Sequence, residues 1–217
     1  MMAAPLPVTV LISGRGSNME AIARAGIAGR IPARVTAVIS DRPEARGLGL
    51  AQELGIETEA VAQGPGADRA TYGRILSEAV SRHQPGLVVL AGFMKILDPV
   101  FTQRFAGRLM NIHPSLLPKY PGLHTHRRVL EAGDTEHGCT VHFVTEELDA
   151  GPRIIQAVIP VHPGDDEQAL SARVQHWEHI IYPEAVGLFA QGRLSMRGEA
   201  CWLDGHKLDQ PILRGDA

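Results

Sequence analysis

Residues 8–18 read VTVLISGRGSN, and the fold is decided there. The run over 8–13 is apolar and rich in β-branched residues, the composition of a strand buried on both faces. Gly14 and Gly16 let the chain turn tightly and let its backbone approach a ligand closely. The spacing then predicts a helix over 17–28, with small and apolar side chains at Met19, Ala21, Ile22 and Ala25. Strand, glycine turn and helix in that order open an α/β sheet. The alternation continues with a strand over 34–40, a helix over 47–54, a short strand over 57–61, a helix over 69–83 and a strand over 87–91. In the helix over 69–83, Tyr72, Ile75, Leu76 and Val80 form the apolar stripe. Strands and helices alternating at this spacing give a parallel sheet with helices on both faces.

Past residue 91 the pattern changes. A short strand over 109–112 runs into a loop over 113–124 that Pro114, Pro118 and Pro121 stiffen and keep from forming a helix. Strands over 139–144 and 153–161 are joined by a connection short enough for an antiparallel pair. A long helix over 166–192 follows, which Pro183 should end or kink. From Leu194 onward the chain reads as short strands and coil. The expected architecture is α/β and Rossmann-like: a mostly parallel twisted sheet with helices on both faces and an antiparallel C-terminal part.

The chain has 217 residues, against a prior of roughly 150 per domain, which fits one α/β domain with a small appendage. Hydrophobic residues make up 44% and charged residues 21%, which excludes disorder for the bulk of the chain. Cys139 and Cys201 are too few for a disulfide framework or a four-cysteine zinc site, so a reducing compartment is expected. The formal charge of −3 argues against wholesale nucleic-acid binding. Three lysines stand beside 18 arginines; this bias suits bidentate contacts to anions, and codon usage alone is the alternative reading of it. No run reaches the ~18 apolar residues of a membrane span. Residues 1–7 lack a basic region and are too short for a signal peptide. The expected location is cytoplasmic. Either Met1 or Met2 can be the start.

Ser13 to Asn18 lies between the first strand and the first helix. Helix N-termini offer free N–H groups and a positive dipole end; Ser17 and Asn18 add donors, and Arg15 adds charge. This chemistry suits a phosphate. A dinucleotide fingerprint would need a third glycine where Met19 stands, although Asp41 sits where a ribose-binding acid would. No lysine follows as in a Walker loop. On pattern alone, a phosphate monoester, a plain glycine turn and a dinucleotide all stay open.

Asn111 and His113 are two apart on an extended segment and so point to one side. The amide can donate to a developing oxyanion, and the imidazole can shuttle a proton near neutral pH. Asp149, in the turn EELDAG over 146–151, would hold the imidazole charged and oriented if it lay close, a proximity that sequence does not reveal. The pair His124 and His126, with His137 and His142, lacks a carboxylate or cysteine at convincing ligand spacing, so no metal is expected. Cys139 sits in an apolar strand pattern and reads as an inert buried thiol. Gln175, Glu178, His179 and Tyr182 form one polar stripe on the long helix, either solvated or facing a cleft.

Five stretches together resemble the folate-dependent phosphoribosylglycinamide formyltransferase family: VLISGRGSNMEAI, AGFMKIL, NIHPSLLPKYPGLHTHR, HGCTVHFVTEELDAGPRIIQ and RVQHWEHIIYP. The likeness spans about residues 8–183. It implies the formyltransferase fold, with a nucleotide- and phosphate-binding half over 7–112, a folate-binding and catalytic half over 113–193, and a tail over 194–217. It also implies transfer of a formyl group from the co-substrate 10-formyltetrahydrofolate to the amine of 5'-phosphoribosylglycinamide, without a metal, through a tetrahedral intermediate, in purine (IMP) biosynthesis. By matching motif, Asn111, His113 and Asp149 would be the catalytic trio. Gly14, Arg15, Gly16, Ser17 and Asn18 would hold the phosphate, with Gln175 and Glu178 on the ribonucleotide. Arg69, Met94, Lys95, Ile96, Leu97 and Val144, with Asn111 and Asp149, would meet the folate. The segment over 142–149 would wall the pterin pocket, and His124 would lie in a loop beside the site. His176 and Trp177 depart from the usual residue types near the ribose. The partners implied are small molecules only, for a monomer or homodimer. A folate-dependent hydrolase, or a formyltransferase with another acceptor, would leave the phosphate loop without a purpose. A non-catalytic nucleotide-binding module would do the same to the trio.

Overall fold

The computed structural model describes residues 4–216; Met1 and Met2, between which the start is open, lie outside them. The chain runs β1 (Leu6–Ile12), α1 (Ser17–Ile27), β2 (Ala33–Ser40), α2 (Arg46–Glu53), β3 (Glu57–Ala60), α3 (Arg69–Arg82), β4 (Leu87–Leu90), α4 (Pro99–Arg104) and β5 (Leu109–His113). It continues through α5 (Thr125–Ala132), β6 (Glu136–Phe143), β7 (Arg153–Pro160) and α6 (Glu167–Ala190), then β8 (Leu194–Arg197), β9 (Ala200–Leu203), β10 (His206–Lys207) and β11 (Ile212–Gly215). Eight strands form one sheet in the order β11-β7-β6-β5-β4-β1-β2-β3. Neighbours are parallel except at β6, which runs antiparallel to both β5 and β7. The expected mostly parallel α/β sheet is present, with its antiparallel part at β6. A small antiparallel sheet, β10-β9-β8, branches off before β11 returns beside β7.

Alternation along the buried strands sorts side chains into two cores. Val10 and Ile12 of β1 join Met19 and Ile22 of α1 and the buried face of α6. Leu11, from the opposite side of the same strand, joins Tyr72 and Leu76 of α3 and Phe101 of α4. Ile75 does not follow its expected stripe and is 50% exposed. Helix α3 packs on α4 as well as on the sheet; a Cβ on Gly73 would lie 2.6 Å from the Cβ of Asp98. Its buried arc therefore turns toward Gly73 and Ser77 and away from Ile75. Asp98 caps α4 by accepting from Val100 N, with Pro99 in the first turn, a start signal for a helix that the periodicity of so short a segment does not reveal.

Helix α6 runs unbroken through Pro183, so the expected stop at that residue is absent. Proline withholds one N–H from the helix ladder, yet Pro183 is buried between Tyr182 and Ala185 on the sheet-facing side, and burial there offsets the lost bond. Tyr182 is wholly buried, and its hydroxyl lies 2.9 Å from O of Leu90, the last residue of β4, and 3.1 Å from O of Met110 within β5. No helix of the described residues is long and apolar enough to cross a membrane.

The neighbours β4 and β1 lie where the strand order reverses. In open α/β sheets, ligands bind at such a switch point, beyond the strand C-termini. Tyr182 lies in the core beneath that crevice and bonds Leu90, which lines it. Tyr182→Phe is expected to lower stability by about 1–3 kcal/mol, the cost of a buried polar group left unpaired, as read by urea titration.

Candidate active site

The loop after β1 is shaped by close packing. Gly16 has φ 77 and precedes α1 with no side chain capping the helix, so the first N–H groups of the helix are free of a side-chain partner. A Cβ on Gly16 would sit 2.8 Å from Gly47 Cα, and a Cβ on Gly47 would sit 2.5 Å from Ile12 Cδ1. Gly47 N donates to Gly14 O at 3.0 Å. The first turn of α2 therefore braces the loop, and Met19, wholly buried, fills the place of a third glycine. A Cβ on Gly14 would meet nothing within 4 Å: its freedom faces the cleft.

Helix α6 meets this loop from the other side. Asn18 Nδ2 donates to Glu178 Oε2 at 2.9 Å, and Gln175 Nε2 donates to Ser17 Oγ at 3.2 Å. Burial holds the Glu178 carboxyl above its usual range, with the Asn18 bond opposing. Of the polar stripe on α6, Gln175 and Glu178 line the cleft, His179 is half-buried, and Tyr182 belongs to the core.

The cleft spans about 790 Å³ between the phosphate loop and the turn over 144–149. Met94 to Leu97 and Val144 line it, and Met94 and Ile96 are each 61% exposed at its mouth. Such an apolar rim fits a flat heteroaromatic ring. Arg69 is not on the lining; its Nη2 donates to Leu97 O at 2.9 Å and braces that segment from behind.

Asn111 and His113 face the cleft from β5. The turn after Phe143 places Asp149 at φ 54, where its Oδ2 accepts from Gly122 N at 2.9 Å and lies 3.5 Å from His113 Nδ1. His113 Nε2 lies 2.9 Å from Tyr120 O. A carbonyl only accepts, so Nε2 carries a hydrogen and Nδ1 is the nitrogen turned to Asp149. Sequence reasoning gave His142 no part beside Asn111. Antiparallel register sets the two opposite each other, with Asn111 Nδ2 3.2 Å from His142 Nε2. His142 Nδ1 lies 2.9 Å from Phe143 O, so Nδ1 is the donor and Nε2 accepts from the Asn111 amide. Burial, outweighing the Phe143 bond and Asp149, lowers His142 to about 4. The alternation of β6 was the available signal, but it needed the pairing partner.

His126 and His137 pair at 2.9 Å, edge to face, and burial lowers His137 to about 4. Among the described residues, no group of three or more His, Cys, Asp or Glu could hold a metal. Cys139 is buried in β6, and burial pushes its thiol well above the usual range.

A glycine loop with free helix N–H groups at a sheet switch point, opposite an amide, an imidazole and a carboxylate, is equipment suited to a group-transfer enzyme. Residues 6–186 match the formyl transferase family, and the chain belongs to it. It is similar to the phosphoribosylglycinamide formyltransferase of Escherichia coli (strain K12), with 53% identity over 93% of this chain and 95% of that one. The protein of the same name from Haemophilus influenzae is 43% identical over the same shares of the two chains. The solved structure of phosphoribosylglycinamide formyltransferase from Coxiella burnetii matches with a TM-score of 0.92 and 44% identity, over 97% of this chain and 99% of that one.

Two outcomes follow from these groups. Gly16→Ala forces an L-residue into the left-handed region, which costs roughly 1–2 kcal/mol, and drives a methyl onto Gly47. A denaturant titration should show at least that loss. The second concerns pH. Unfolded, His137 and His142 titrate near 6.5; folded, they titrate near 4. Between these values the unfolded chain binds protons that the native chain refuses. Their contribution to stability is therefore complete above pH 6.5, falls as pH drops toward 4, and levels off below. Urea titrations above pH 6.5 and near pH 4 read this directly; equal stability at both would contradict neutral burial.

Proposed function

We propose that this protein transfers a formyl group from 10-formyltetrahydrofolate to the amine of 5'-phosphoribosylglycinamide, giving formylglycinamide ribonucleotide and tetrahydrofolate in purine biosynthesis. The observation that carries the reading is one cleft with a phosphate loop at one end, an apolar rim at the other, and Asn111, His113 and Asp149 between. In this reading the half over 7–112 holds the ribonucleotide and the half over 113–193 holds the folate. Gly14 to Asn18 take the phosphate, and Glu178 and Gln175 take the ribose side. Met94 to Leu97 and Val144 receive the folate ring, with Arg69 supporting Leu97.

The amine attacks the formyl carbon; a C–N bond forms to the acceptor and the bond from that carbon to N10 of the folate breaks. Charge develops on the formyl oxygen. Asn111 Nδ2 has a second hydrogen beyond the one it gives His142, and it is aimed at that oxygen. His113 in its cationic form presents Nδ1–H to the same place, beside the Asp149 carboxylate that balances its charge. The proton lost by the amine reaches N10 through the His113 side of the cleft. Neither Cys139, packed toward Val174 O, nor buried Cys201 offers a nucleophile, which supports direct transfer without a covalent enzyme intermediate.

The test is a spectroscopic assay with both substrates, run beside one lacking the acceptor. Acceptor-dependent loss of the formyl group is expected; acceptor-independent loss would make the protein a hydrolase. Asn111→Ala and His113→Ala should each lower kcat by about 10²–10³ while ribonucleotide binding persists. Near-normal turnover of His113→Ala would sink the assignment.

A further inference from the structure

Polar side chains cross the sheet in two rows that begin at the site. Asn111 lies opposite His142, which lies opposite Arg153; His113 lies opposite Thr140, which lies opposite Gln156. Residues in register on neighbouring strands share a face of the sheet, so each row is a polar rung through a mostly apolar core. Both rungs end on one atom. Leu117 O accepts from Arg153 Nη1 at 2.8 Å and from Gln156 Nε2 at 2.7 Å. Gln156 Nε2 also donates to Thr140 Oγ1 at 2.9 Å. That hydroxyl in turn donates to Ser115 O at 2.6 Å and accepts from Leu117 N at 3.1 Å. Both amide hydrogens of Gln156 are thereby engaged.

This knot holds the turn over 113–120. Ser115 Oγ lies 2.7 Å from Lys119 O and 3.2 Å from Tyr120 O, and Tyr120 O is the acceptor that fixes the hydrogen of His113 on Nε2. Gln156 is 7% exposed and lies outside the cleft lining. A buried amide of this kind is kept by what it bonds, and Gln156 bonds Leu117 O, in the same turn whose Tyr120 carbonyl selects the His113 tautomer.

We infer that Gln156 is a positioning residue for formyl transfer: by tying the turn to β6 and β7, it keeps Nδ1 of His113 as the nitrogen that meets the substrate. The inference rests on the function proposed above. Its test uses the full chain with isotope-labelled histidine, as wild type and as Gln156→Met, with His113→Asn assigning the His113 signals. Imidazole nitrogen NMR of the wild type should read a hydrogen on Nε2. In a folded Gln156→Met, that signal should average between the two nitrogens. The kcat should fall about tenfold to a hundredfold, the scale for displaced catalytic groups, with KM for both substrates unchanged. An unaltered Nε2–H signal, or a raised KM with intact kcat, overturns the inference. Gln156→Glu keeps the shape and removes the donor at neutral pH, and carries the same expectation should the methionine variant not fold. The tautomer is read without turnover. A wild type that binds substrates without transferring formyl, yet shows the Gln156-dependent signal, would therefore overturn the proposed function and leave the positioning intact.

Discussion

Where β6 turns back against β5, a parallel sheet acquires a ladder with side chains directly opposite one another. The polar residues of the site depend on that reversal. Asn111 and His113 are two apart, and in antiparallel pairing each meets a partner, His142 and Thr140. Buried polar groups cost free energy unless bonded, and here each cross-strand partner also decides an orientation. His142 points the Asn111 amide by accepting one of its hydrogens. Thr140 secures the turn behind His113. A parallel neighbour would slant its hydrogen bonds and pair less directly; the short turn that delivers Asp149 depends in the same way on β7 running antiparallel to β6.

Helix α6 does for the other end of the cleft what β6 does for the first. It packs on α1, β6 and β7 and reaches the phosphate loop with Gln175 and Glu178. One turn further, Tyr182 bonds the carbonyls of Leu90, at the end of β4, and Met110, within β5. Leu90, Gln175 and Glu178 of the crevice lining are thereby tied to one helix, which continues unbroken through the buried Pro183. Trp177 is outside the cleft lining; it donates from Nε1 to Asp216 at 3.2 Å and links the helix to the end of β11.

Much of this was legible in the sequence. The glycine loop, the five strands up to β5, the antiparallel pair and the juxtaposition of Asn111 and His113 were carried by local composition and spacing, whereas Asp149 joined them only through the family resemblance. What escaped depended on partners distant along the chain. Helix α5 starts from His124 in the left-handed region with no side-chain cap, so it lacks the usual start signal. Ile75 sits on a helical stripe by arithmetic, but α4 turns that stripe aside. His142 looked like one histidine among ten until register put it against Asn111. Strand β11 returns to the sheet edge only after the small β8–β10 sheet, a path that no local pattern announces. Arg69, expected at the cleft, reaches it only through the Leu97 carbonyl.

The bond between Asn18 and Glu178 joins residues 160 positions apart, and it bears on synthesis. Chains emerge from the ribosome N-terminus first. The phosphate loop is thus made early, while its opposing wall arrives only with the last long helix. Strand β1, central in the sheet, must likewise wait for β4 on one side. A nascent chain that has everything through β7 still presents a glycine loop without the Gln175 and Glu178 side of the cleft. Ligand capture is therefore deferred to the completed polypeptide, and contacts of such long range make folding comparatively slow.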